Sequence, residues 1–300
     1  MLLNLPVRSK APCPILPALF AGRVGGRFRS LTTGPIRSGR PGRCILTLLA
    51  ALACCALAAG QSVATQSPGK ESAAEVAADA RRRVEAADFR ATGRLVQVAA
   101  NGVRTTYKLT LKAHWFGDGL RLICELAAPA QPRILIHLNP QGRLTVEVAK
   151  RGDKTPLPLP SERWGDGLLS TNFSYEDLIE RQFFWTRQTL LPAAKFGARD
   201  CLVLKSEPDA AEHSQYRAVT SWIDRRSGAP VYIEKTERSS GQVKQFTAFG
   251  LRQTGGVWSA SQVEVKVQGG SASSLLIIER GSANAKLSRA DFDAAQLTRP

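Results

Sequence analysis

From Phe89 onward the chain keeps a period of two, and no other feature of the sequence restricts its folding as much. Tyr107, Leu109 and Leu111 alternate with Lys108, Thr110 and Lys112; Leu144, Val146 and Val148 alternate with Thr145 and Glu147; Val263, Val265 and Val267 alternate with Glu264 and Lys266. Successive side chains of a strand point to opposite faces, so strict alternation gives one dry and one wet face. That belongs to an antiparallel sheet, since buried parallel strands read as unbroken apolar runs. Turn residues separate the runs: Asn101-Gly102, Asn139-Pro140-Gln141-Gly142, Arg226-Ser227-Gly228, Ser239-Ser240-Gly241 and Gly255-Gly256. About ten strands are expected, from runs near 90–99, 103–115, 119–127, 133–139, 142–149, 181–190, 199–206, 215–224, 229–237, 242–251, 256–268 and 273–281. Leu109, Leu111, Leu144, Val146, Val263 and Val265 should face a shared interior, with Lys108, Lys112, Glu147, Glu264 and Lys266 in water.

Helix is scarce. Ser72 to Asp88, SAAEVAADARRRVEAAD, has small apolar residues at helical spacing and good helix formers between them. After the extended connection Lys154–Pro160 (KTPLPLP), Ser174 with Asp177 three residues on has the form of a capping box, which predicts a short second helix over 174–181. The chain is therefore read as mainly β, a single domain over 72–298. So wide a sheet tends to curl or close. With little helix to fill it, curling leaves an apolar hollow suited to greasy ligands. A sheet folded into a self-filled sandwich satisfies the same pattern.

The charge of +16 resembles that of a nucleic-acid binder until it is divided. Residues 1–60 hold eight basic side chains and no acid, which leaves +8 for the rest, where Lys and Arg alternate with acids instead of clustering. Nucleic acid is not an expected partner. Cys44 to Gly60, CILTLLAALACCALAAG, is uncharged, follows Arg37, Arg40 and Arg43, and ends in small residues, as a secretory signal does. Residues 1–60 are read as an export leader and 61–71 as a linker, with a mature start between Ala59 and Thr65 in the periplasm. An anchored or lipidated N-terminus is the lesser alternative, the run being short for a span of about 20 residues. Only Cys124 and Cys201 lie beyond the leader. In an oxidising compartment they could form a disulfide, and two separately buried thiols are the alternative.

Catalytic and cofactor signals are missing. His114, His137 and His213 have no partner at ligand spacing, and no zinc motif, nucleophile elbow, P-loop or dinucleotide fingerprint occurs. Glu176, Asp177 and Glu180 could serve a hydrolase as paired carboxylates, but their place at the start of a short helix suits capping and dipole roles better. No enzyme, metal or cofactor is expected.

Two stretches carry a family pattern. One is Phe173-Ser174-Tyr175-Glu176-Asp177-Leu178. The other is Tyr216–Asp224 followed by Gly228, Pro230, Val231–Lys235, Gly241 and Lys244, with Trp258, Phe292 and Leu297 toward the end. Over roughly residues 70–298 they resemble the outer-membrane lipoprotein-sorting proteins, relatives of LolA and LolB, in the branch with an F-S-Y-E-D-L segment. Ser170-Thr171-Asn172 departs from that branch's aspartate-bearing lead-in. The resemblance implies an incomplete antiparallel barrel with one or two helices over its open side, and acyl chains of a lipoprotein or free lipid as ligand. A periplasmic carrier in lipoprotein sorting is the leading expectation. A lipid-sensing regulator or an accessory of an envelope transport complex is the second, since one fold serves several functions. Phe173, Tyr175, Leu178, Phe183 and Trp185 form the most aromatic stretch, and they are expected to border the mouth of the hollow and touch the ligand.

Overall fold

The structure, a computed structural model, describes residues 71–127, 132–150, 152–254 and 257–299. The leader, the linker before Glu71 and the Gly255-Gly256 turn lie outside the described residues. Helix α1 (Ala73–Glu85) begins at a capping box: the Ser72 hydroxyl accepts from the Glu75 amide at 3.2 Å while the Glu75 carboxylate accepts from the Ser72 amide at 2.9 Å.

The strands are β1 (Asp88–Val98), β2 (Arg104–Phe116), β3 (Gly119–Ala127), β4 (Arg133–Leu138), β5 (Leu144–Ala149), β6 (Leu157–Pro158), β7 (Arg187–Phe196), β8 (Arg199–Glu207), β9 (Tyr216–Asp224), β10 (Pro230–Glu237), β11 (Val243–Phe249), β12 (Arg252–Thr254), β13 (Val257–Ser259), β14 (Gln262–Val267) and β15 (Ser273–Ala283). β12 and β13 pair only with each other. The other thirteen form one curved antiparallel sheet in the order β6-β5-β4-β3-β2-β1-β15-β14-β11-β10-β9-β8-β7, not closed into a barrel. At the β1–β15 seam the register shifts between Thr92 and Gly93, where any side chain at Gly93 would run into the Ile277 carbonyl.

The alternation places the side chains as expected. Leu109, Leu111, Leu144, Val146, Val263 and Val265 are buried on the inner face, whereas Lys108 and Lys266 are exposed and Lys112, Glu147 and Glu264 partly so. β3 and β4 are apolar on both faces because the chain's end returns across the outer one. Leu287, Phe292 and Leu297 pack there on Ile123 and Leu135, with Phe292 edge-on to Phe116 at 5.7 Å. Arg289 clamps that tail to Asp118 at 2.9 and 3.1 Å, which holds the Asp118 carboxyl below the usual range.

Two expectations need correction. Residues 174–181 form no α-helix. A 3-10 turn at Glu176–Leu178 ends at Ile179, which is extended (φ −138°, ψ 156°), and a second turn covers Arg181–Phe184. The side chains of Glu176 and Asp177 are drawn apart, Glu176 to Ser214 and Gln215 in the loop before β9 and Asp177 to β9, β10 and β11. Accordingly the strand expected at 181–190 runs instead over 187–196.

Candidate functional site

The segment from Ser161 to Trp185 lies on the inner face of the sheet, fastened by buried charge. Asp177 is its anchor. Its carboxylate accepts from the Tyr216 hydroxyl at 2.6 Å, the Lys235 ammonium at 2.8 Å, and the Ser174 hydroxyl and amide at 2.8 and 2.9 Å; Lys244 stands 3.7 Å away. Burial alone would raise this carboxyl, but the charges of Lys235 and Lys244 and these hydrogen bonds outweigh it and hold it below the usual carboxylate range. Burial, then the adjacent Asp177, pushes the Tyr216 hydroxyl up. Lys235 also lies over the Phe246 ring at 4.6 Å, and Phe246 meets Phe173 edge-on at 6.1 Å. Glu176 turns the other way, accepting from the Ser214 hydroxyl at 2.6 Å, the Gln215 amide at 2.9 Å and Arg181 at 3.3 Å. The two acidic residues of the F-S-Y-E-D-L motif thus tie one turn to the loop before β9 and to β9, β10 and β11. Capping survives only as the Ser174–Asp177 bonds.

Toward α1 the fit changes character. Phe184 stacks on Trp115 at 5.9 Å and lies under Arg81 at 5.1 Å, and its Cβ fills the space a side chain at Gly142 (φ +81°) would need. Where α1 meets residues 180–185, polar atoms are buried without partners: all three guanidinium nitrogens of Arg83, both carboxylate oxygens of Glu180, the Gln182 amide nitrogen and the Trp185 indole nitrogen. Such atoms are rare in folded proteins and cost about 1–3 kcal/mol each. Burial pushes the Glu180 carboxyl up to about 8 despite Arg83 and Lys235 nearby, and pulls Arg83 down to about 10. Beside this junction a cavity of about 530 Å³ opens between α1 and the β8–β9 side of the sheet. Val76, Ala80, Leu202 and Ile223 give it apolar walls, and Arg83 reaches it from the helix.

The residues expected at a ligand mouth are placed together, but deep. Phe173, Leu178, Phe183 and Trp185 are buried in the main core, Phe183 with 0% exposure, and Tyr175 is half-buried against it. None of the five lines the cavity under α1. Cys124 and Cys201 are both buried free thiols, on β3 and β8, so the disulfide they could have formed is not made; burial pushes the Cys124 thiol up. Sequence reasoning missed Arg83, the burial of Glu180 beside it and the inward direction of Lys235 and Lys244. For three of these a signal existed. Lys235 is in phase with the buried Val231 and Ile233, Lys244 with Phe246, and Arg83 continues the helical phase of Val76 and Ala80.

Three findings place this architecture among known proteins. A family model described as "Uncharacterized protein" matches residues 154–299, just under half of the chain. No curated protein matches. Among solved structures, a domain assigned to outer membrane lipoprotein sorting from Vibrio parahaemolyticus is 22% identical, with a TM-score of 0.68 over 76% of this chain and 98% of its own. A DUF1329 family protein from Desulfovibrio piger is 14% identical, with a TM-score of 0.66 over 75% of this chain and 98% of its own. A LolA superfamily protein from Nitrosomonas europaea is 14% identical, with a TM-score of 0.59 over 76% of this chain and all of its own. An open, curved antiparallel sheet with one helix across its inner face is thus the fold this chain shares with the lipoprotein-sorting and LolA superfamily structures.

Proposed function

We propose that this chain is an acyl-chain carrier of the cell envelope, exported by its N-terminal leader and engaged in moving lipoproteins or lipids toward the outer membrane. The observation that carries the reading is the cavity between α1 and the inner face of a sheet that does not close, with Val76, Ala80, Leu202 and Ile223 in its walls and charged side chains around them. Burying an acyl chain gains about 0.8 kcal/mol per CH₂, roughly 12 kcal/mol for a chain of about 16 carbons before losses. That gain suffices to displace a few packed side chains, each worth about 1.5–3 kcal/mol. The segment carrying Phe173, Tyr175, Leu178, Phe183 and Trp185 is the plug that a long chain would push aside, and these residues would then contact it. Its junction with α1, where polar atoms go unpartnered, is where parting is least costly.

The test is native mass spectrometry of the exported protein with extraction of whatever it carries. Co-purified lipid, or saturable uptake of an acyl-chain probe that Phe183→Asp and Trp185→Asp weaken, is the expected result. A protein that carries nothing and takes up no probe would leave the inner face as ordinary core. Intact mass of the same sample checks the leader, with a start between Ala59 and Thr65 expected; a mass that retains residues 1–58 or carries a diacyl group on Cys54 or Cys55 contradicts it.

A further inference from the structure

Arg83 poses a problem of charge. It projects from the third turn of α1, is only 5% exposed, and none of its three guanidinium nitrogens has a hydrogen-bond partner. A buried cation left unpaired is costly, and Arg is the side chain best shaped to take a carboxylate or phosphate in two parallel bonds. The acid whose charge acts on it is Glu180, whose two oxygens are equally unpartnered. Glu180 faces Arg83 from α1 and Lys235 from β10, and Lys235 is already engaged by Asp177 at 2.8 Å. Burial raises the Glu180 carboxyl to about 8, which favours its neutral form at neutral pH and weakens it as a counter-ion for Arg83.

The cavity supplies the rest of a site. Its volume of about 530 Å³ falls within the range of small-molecule sites, about 300–1,000 Å³, and four apolar side chains wall it. Acidic residues at its rim are for the most part already engaged. Glu71 pairs with Arg225 at 2.7 Å, Asp79 with Arg82, and Asp224 with Arg199 at 3.1 Å, and Glu75 is bound into the helix cap. Glu85 lines the cavity as well, and of the three arginines there (Arg82, Arg83 and Arg225) Arg83 is the one whose guanidinium has no hydrogen-bond partner.

We propose that the cavity beneath α1 is a site for a single-chain amphiphile with an anionic head group, its chain on Val76, Ala80, Leu202 and Ile223 and its anion on the Arg83 guanidinium. This rests on the acyl-chain reading above and adds to it a head-group class, which a neutral diacylglyceryl anchor lacks. It also makes binding sensitive to pH: once Glu180 ionises, it competes with the ligand for Arg83.

The experiment is calorimetric titration of the full chain with four amphiphiles of one chain length: dodecanoate, dodecyl phosphate, 1-monododecanoylglycerol and dodecyltrimethylammonium. At pH 7 one or both anions should bind at least tenfold tighter than the neutral glyceride, and the two anions tell a carboxylate site from a phosphate site. Arg83→Leu should abolish that preference while leaving the glyceride's affinity within about twofold. Should that variant fail to fold, Glu180→Gln decides the matter. The wild type should lose anion affinity between pH 7 and 9.5, and Glu180→Gln should keep it, with the glyceride flat in both. Equal binding of glyceride and anions, or tighter binding of the ammonium, overturns the proposal and leaves the carrier reading standing. Failure of all four to bind removes the carrier reading as well.

Discussion

The side chain of Asp177 has no exposed surface, yet it gathers the ammonium groups of two adjacent strands, a phenol and a serine. Removing one partner of such a cluster strands the others, and the usual cost is about 3–5 kcal/mol. Asp177→Asn should therefore lower unfolding stability by that amount in urea titration. A loss below about 1 kcal/mol would mean that the hydrogen bonds of Ser174 and Tyr216, which an amide can keep in part, do the holding. The two buried carboxyls act on stability in opposite directions. Asp177 is held below its unfolded value, so its contribution is present above about pH 4 and is lost as pH falls through the folded value. Glu180 is raised, so its contribution is full below about pH 4.5 and is lost as pH rises toward 8. Denaturant midpoints of the wild type should decline across pH 5–8, by up to about 1.4 kcal/mol per pH unit from this group, and the decline should flatten in Glu180→Gln. These pairings could not be read in advance. Alternation shows that Lys235 faces inward, but only the tertiary path of a segment some 60 residues earlier reveals that an aspartate waits there.

Among the elements, α1 meets the turn at Arg181–Phe184 more extensively than it meets any single strand. Phe183 is wholly enclosed, so Phe183→Ala should cost about 3–5 kcal/mol through the cavity it leaves. Ser72→Ala removes only a cap and should cost about 1 kcal/mol. If calorimetric melting ranks the two the other way, α1 is held by its own ends and not by the segment beneath it. Elements with strict alternation or good helix formers were legible: α1 lies within the expected 72–88, and β2, β3 and β9 end within a residue or so of expectation. The 181–186 run was not, because Gln182-Phe183-Phe184-Trp185 has the composition of a strand while its backbone curls in 3-10 turns under α1. Tertiary contact overrode local preference there. For the same reason the expected strand at 256–268 divides into β13 and β14 around Ala260-Ser261.

Across the molecule, the sheet is two meanders joined at one seam. β1 pairs with β15, and these strands stand in the middle of the thirteen. Such a pairing spans nearly all of the described chain, and no local pattern announces it. Curvature was predictable from strand number; the partner of β1 was not. A chain ended after Gly270 would lose β15 and the outer-face tail together, leaving β1 and β14 as raw inner edges and β3 and β4 uncovered. Circular dichroism of that truncation should show neither meander folded, whereas a cooperative melt would mark one half as independent. The seam also sets a timetable. Strands that meet early in a meander can form while the chain is still being made, but the joining strand, β15, is made after the other fourteen. High sequence separation of this kind slows folding, since the loop entropy is spent before the contact forms. Until β15 is made, then, the chain is an unfinished sheet, open at its centre. That is the state in which a protein can still be threaded through a narrow channel, and it ends only when β15 arrives.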